Sequence, residues 1–149
     1  AHQGLREYQV PVEYGRSEII RKGKKIAVLG VGSMIPSCME ICKGLKDDGY
    51  DPTFVNARFV KPLDVDLLDE LAKDHSLFVT VEENVKSGGY GEHVSAYMEA
   101  CHPEIRVLSA AVWDRFVPQG NVESLRSRIG LGVEDIRQAI EDSEELREQ

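Results

Sequence analysis

The stretch KKIAVLGVGSMIPSCMEICKGL, Lys24 to Leu45, restricts the fold more than any other part of this 149-residue chain. KIAVLG is apolar almost throughout, which suits an interior parallel strand covered on both faces. Gly30 and Gly32 follow. Met34, Cys38, Ile41, Cys42 and Leu45 then fall at helical spacing, with Ser33 placed to cap the helix. A strand that is apolar on both faces needs paired neighbours and a layer of helices on each side.

The unit recurs down the chain. PTFVNARFV is a second run of β-formers, and KPLDVDLLDELAKDH follows it, with Asp64 placed to cap a helix bearing Val65, Leu68 and Leu71 on one face. SLFVTVEEN is another continuous strand, and GGYGEHVSAYMEAC is a glycine turn opening an amphipathic helix. IRVLSAAV is the last strand expected. The tail NVESLRSRIGLGVEDIRQAIEDSEEL predicts two short helices split at Gly130 to Gly132, and EDSEELREQ reads as an acidic, solvated end that frays. Before the first unit, SEIIRKG is a short strand candidate, and the opening AHQGLREYQVPVEYGR, broken by Gly4, Pro11 and Gly15, reads as an arm or linker. The organisation expected is an arm over residues 1–16 and one α/β domain over 17–149, with a mostly parallel sheet and right-handed crossovers.

Bulk properties exclude several functions. A formal net charge of −8 argues against nucleic acid as a partner, because nucleic-acid binders neutralise phosphates with clustered Lys and Arg. Cys38, Cys42 and Cys101 form no CxxC pair, and their odd number without a signal peptide fits a reducing cytoplasm. Cys38 and Cys42 lie one helical turn apart with no further His or Cys nearby to complete a tetrahedral set, so they read as buried small side chains and no metal site is expected. No apolar run approaches the roughly 20 residues of a membrane span.

Three segments carry candidate chemistry. In GVGSMI the third position of a GxGxxG fingerprint is Ile35, and the strand where a ribose-binding acid belongs ends in Asn56, Ala57 and Arg58, so no dinucleotide site is expected. TVEENVKSGGYGEHV places Glu82 and Glu83 at the C-terminal end of a strand, before Gly88, Gly89, Gly91 and His93 at a helix N-terminus. Open α/β sheets bind ligands in such positions. The carboxylates are also suited to accept the free N–H groups of that helix, or to pair with Arg58 or Lys61. In WDRFVPQG, Trp113 and Phe116 sit on an irregular segment, as interface anchors do and as residues packed under a loop also do. No nucleophile elbow, P-loop or HExxH occurs, and no catalytic residue is assigned.

Read in order, KKIAVLGVGSM, NARFVKPLD, FVTVEENVKSGGYGEHV and WDRFVPQG with IGLGVEDI resemble the C-terminal domain of the 1-deoxy-D-xylulose-5-phosphate synthase family. RFVKPLD and TVEEN are shared with the wider transketolase C-terminal family. Trp113 departs from the synthase pattern, which more often has Pro before the Asp. The resemblance implies a three-layer α/β/α sandwich whose five-stranded, mostly parallel sheet has one antiparallel edge strand, SEIIRKG. It also implies a longer, homodimeric enzyme that condenses pyruvate with glyceraldehyde 3-phosphate. Thiamine diphosphate and Mg2+ would be held by preceding domains, and this domain would have a structural part. Docking to an acyltransferase core, as related dehydrogenase β subunits do, and binding of a small anion at Gly88 to Gly91 are the alternatives.

Overall fold

The computed structural model describes residues 15–58, 62–83, 89–112 and 133–148. Strand β1 spans Glu18–Arg21, β2 Lys25–Gly30, β3 Thr53–Asn56, β4 His75–Glu83 and β5 Arg106–Val112. Helix α1 spans Ile35–Asp47, α2 Val65–Ala72, α3 Tyr90–Cys101 and α4 Val133–Glu148. The sheet order is β1-β3-β2-β4-β5. β2 pairs in parallel with β3 and β4, and β5 in parallel with β4, while β1 lies antiparallel on β3 as the edge.

Alternation along the central strands divides the core in two. Ile26, Val28, Phe54, Leu77, Val79 and Val81 meet Cys38, Ile41, Cys42 and Leu45 of α1 and Ile136 and Ile140 of α4 on one face. Ala27, Leu29, Val55 and Phe78 meet Leu68 and Leu71 of α2 and Tyr90, Val94 and Met98 of α3 on the other. The continuous apolar run therefore has a direct cause, since each face has its own pair of helices to satisfy. Burial of one such side chain stabilises by about 1.5–3 kcal/mol. Arg137 of α4 is ion-paired with Asp48, Glu134 and Glu141 at the surface, where solvent screening leaves such pairs little net stabilisation. Ile136 and Ile140 rather than the charges hold α4 in place.

Local differences from the expected elements have physical reasons. Asp64 caps α2 as expected, its carboxylate accepting the Leu67 N–H at 3.2 Å. Ser33 does not cap α1. The chain makes a 3-10 turn over Gly32–Met34, the cap position falls to Met34, and Pro36 occupies the first helical turn, where no donor is needed. β3 stops at Asn56 instead of running on to Val60, because Arg58 takes a φ of 64° and its N–H turns back to Asn56 Oδ1 at 3.0 Å. Helix α4 runs on through the acidic tail to Glu148. The other helix expected in the tail lies outside the described residues.

Gly30 ends β2 against α1. A Cβ there would lie 2.6 Å from Cys38 Sγ and 3.1 Å from Ile35 Cδ1. The glycine thus serves a close approach of helix and strand, and Ile35, the residue that breaks the dinucleotide fingerprint, fills the space beside it. Gly30→Ala is expected to lower stability by about 2 kcal/mol through overpacking, read as a reduced midpoint in urea unfolding, and an unchanged midpoint would contradict this packing. Burial pushes the thiols of Cys38 and Cys42 up to about 12, whereas Cys101 is exposed. Iodoacetamide at pH 8 is therefore expected to label Cys101 alone in the folded chain. Mass spectrometry of the peptides checks this, and alkylation at Cys38 or Cys42 without denaturant would refute it.

Candidate functional site

The chain passes from β2 through α1 to β3 on one side of β2, then crosses through α2 to β4 on the other. This reversal opens at the C-terminal ends of β2 and β4, where open α/β sheets place ligands. Here the Val31 N–H donates to the Val81 carbonyl at 3.2 Å, and the Ala57 N–H to the Gly30 carbonyl at 2.9 Å. Glu82, next along β4, is only 8% exposed.

The Glu82 carboxylate is directed at the start of α3. Its Oε1 accepts the Tyr90 N–H at 2.8 Å and its Oε2 the Gly91 N–H at 2.7 Å. The N-cap residue Gly89 has no side chain to offer, so a carboxylate from the adjoining strand does the capping. Two charge-assisted bonds of this kind, reinforced by the positive end of the helix dipole, outweigh the surface ion pairs among the described residues. Gly91 makes the approach possible. A Cβ on it would lie 2.7 Å from Thr80 Oγ1, 2.8 Å from Glu82 Oε2 and 3.1 Å from Ser109 Oγ.

Glu83, the next residue, accepts a hydrogen bond from the Ser33 hydroxyl, joining the β2–α1 corner to the end of β4. Arg58 pairs with Glu18 at 3.0 Å instead of with Glu82, because its left-handed backbone carries it toward β1. Lys61 lies outside the described residues. His93 is half-buried, and its Nε2 has no protein partner among the described residues. Gly88, Trp113 and Phe116 also lie outside them, so Glu82, Glu83, Gly89, Gly91 and His93 are the site residues that the fold brings to one corner.

The sequence reading missed several polar groups nearby. Thr80 is fully buried under α3 with its hydroxyl unpartnered among the described residues, hidden in the sequence within an apolar run. Ser109 stands 3.4 Å from Ser95. On the outer surface Asp69 of α2 takes the Tyr97 hydroxyl at 2.6 Å and His102 Nε2 at 2.8 Å. The His102 bond first and the Tyr97 bond second hold the Asp69 carboxyl below its ordinary range. The same bond raises the Tyr97 hydroxyl. This cluster fastens α2 to α3. Among the described residues no group of three His, Cys, Asp or Glu side chains is arranged to hold a metal ion, and no helix is long and apolar enough to cross a membrane.

The family model described as transketolase, C-terminal domain, matches residues 15–136. A 1-deoxy-D-xylulose-5-phosphate synthase of Lachnoclostridium phytofermentans is 39% identical over 137 residues, which are 91% of this chain and 22% of that protein. The synthase of Nitrosomonas europaea is 40% identical over 131 residues, 88% of this chain and 20% of its own length. The chain thus spans about a fifth of the curated relatives it matches. Among solved structures, one described as a split-gene transketolase, an inactive β4 tetramer, has a TM-score of 0.75 at 29% identity, covering 89% of this chain and 43% of the other. A Campylobacter jejuni transketolase, with a TM-score of 0.57 at 17% identity over 86% of this chain and 18% of that one, shares the fold. With its five-stranded sheet, its single antiparallel edge and a family match running from Gly15 to Ile136, the chain belongs to the transketolase C-terminal domain family.

Proposed function

We propose that this chain is the C-terminal domain of a thiamine-diphosphate-dependent 1-deoxy-D-xylulose-5-phosphate synthase. The complete enzyme joins pyruvate to glyceraldehyde 3-phosphate, releasing carbon dioxide and forming 1-deoxyxylulose 5-phosphate for isoprenoid, thiamine and pyridoxal synthesis. The domain, residues 17–149 after an arm over 1–16, supports the subunit and inter-domain contacts of a cytoplasmic homodimer and carries out no chemistry itself. Relatives bearing the synthase name, of which this chain is about a fifth, support the assignment.

The observation that carries the structural role is the closed corner at Glu82. At the place where sheets of this type receive a phosphate, the Tyr90 and Gly91 N–H groups are already taken by a carboxylate of the same domain. A diphosphate does not fit there: it would have to displace Glu82 and lie against its charge. The described residues likewise lack a set of side chains for Mg2+. The split-gene transketolase is described as inactive in its β4 form, which supports a domain that needs further parts for turnover. In the complete enzyme, Trp113 and Phe116 are proposed as interface anchors, and Glu83 and His93 as lining residues of the same corner.

Two experiments bear on this reading. The chain alone, given pyruvate, glyceraldehyde 3-phosphate, thiamine diphosphate and Mg2+, is expected to form no deoxyxylulose phosphate, while the open reading frame that contains it does. Product formation by the chain alone, or none by the complete protein, would reject the proposal. Glu82→Gln places an amide NH2 against a backbone N–H and removes the charge at the helix end, and is expected to cost about 2–3 kcal/mol. Glu99→Gln, on the exposed side of α3, is expected to stay within about 0.5 kcal/mol. Urea unfolding of the two variants checks the difference, and equal midpoints would show that Glu82 does not brace the corner.

A further inference from the structure

Edge strand β1 has little apolar burial to hold it. It is four residues long, Ile19 and Ile20 are 40% and 44% exposed, and its register on β3 shifts between Ile19 and Arg21. Polar contacts fasten it at both ends instead. At its start the Ser17 N–H donates to Asp64 Oδ2 at 2.7 Å, and Arg16 pairs with Asp64 and Asp66. At its end the Arg21 guanidinium reaches the Pro52 carbonyl at 2.7 Å, and the Lys24 N–H the Asp51 carbonyl at 2.7 Å. Between these, the Gly23 N–H donates to Thr53 Oγ1 at 2.8 Å, and Thr53 Oγ1 lies 2.7 Å from Nε2 of the buried His75.

The partners decide where the proton of His75 sits. Nδ1 is 2.8 Å from the Leu71 carbonyl and 2.7 Å from Asp74 Oδ1. A carbonyl can only accept, so Nδ1 carries the hydrogen. On the other side Thr53 Oγ1 already accepts from Gly23, and its own hydrogen is free to point at Nε2. In this neutral ring every hydrogen in the chain has an acceptor. A second proton on the ring must go to Nε2. Thr53 must then turn its hydroxyl hydrogen away, accept from the ring and from Gly23 together, and leave that hydrogen without its former acceptor at a residue with no solvent exposure. Among the described residues Asp74 faces the ring directly, its other oxygen lies 3.9 Å from Lys22 of the β1–β2 turn, and Lys25 of β2 stands in register with His75. From β4 itself Phe78 presents its ring at 6.5 Å, edge to face, and α2 contributes only the Leu71 carbonyl.

We infer that Gly23, Thr53 and His75 form a proton-linked latch on β1, closed when the ring is neutral and weakened when it takes a second proton. The inference is independent of the proposed function, because it rests on contacts at the opposite end of the sheet from Glu82. Long-range 1H–15N spectra of the 15N-labelled chain are expected to show the neutral ring of His75 as the Nδ1–H tautomer. As the same spectra report the ring taking its second proton, the protection factor of the Gly23 amide, the exchange rate of an unfolded chain at the same pH divided by its own, is expected to fall by about tenfold or more. In Thr53→Val the protection of Gly23 is expected to be low throughout and not to follow the ring's second proton. A neutral ring that carries its hydrogen on Nε2, or a Gly23 protection factor unchanged while the ring takes its second proton, would overturn the latch.

Discussion

Burial of both faces of the β2 and β4 strands is the constraint on which everything else in this domain depends. Ile26 and Val28 alternate with Ala27 and Leu29, so one strand serves two cores at once. Neither face can be left to water, and this requires helices above and below and long crossovers to bring them there. The antiparallel β1, the ion pairs of Arg137 and the Asp69 cluster are additions to that frame. Their individual contributions are small beside one buried Leu or Ile.

Within that frame the corner at the ends of β2 and β4 is a place of unpaired polar groups, because a helix begins there and its first N–H groups have no intrahelical partner. Many α/β proteins leave them for a ligand. In this domain Glu82 satisfies two of them, and Gly91 lets it come close enough to do so. The Ser33 to Glu83 bond ties the neighbouring corner to the same strand end. The two contacts close this end of the sheet with side chains of the domain itself.

Much of this was legible in the residues. KIAVLG and LFVTV announced buried parallel strands, and Asp64 announced a helix start. Each depends on near neighbours in sequence, through side-chain period or capping geometry. The pairing of Glu82 was narrowed to helix amides or a basic residue without a decision between them. Ser33 was read as a cap and is in fact a donor to a residue 50 positions away. Arg58, one of the basic partners the sequence offers for Glu82 and Glu83, pairs with Glu18 instead, because the positive φ that redirects it carries no signature in its side chain.

The sequence by itself determined the number and kind of the layers, since apolar period and glycine placement are local properties with few solutions. It also determined the family, through ordered motifs that need no coordinates. Only the tertiary structure decided which polar groups meet: Glu82 with the α3 amides, Asp69 with Tyr97 and His102, and His75 with Thr53 and Leu71. A hydrogen bond depends on tenths of an ångström and on direction. Apolar burial asks only for the right face, and a periodic sequence is able to specify that alone.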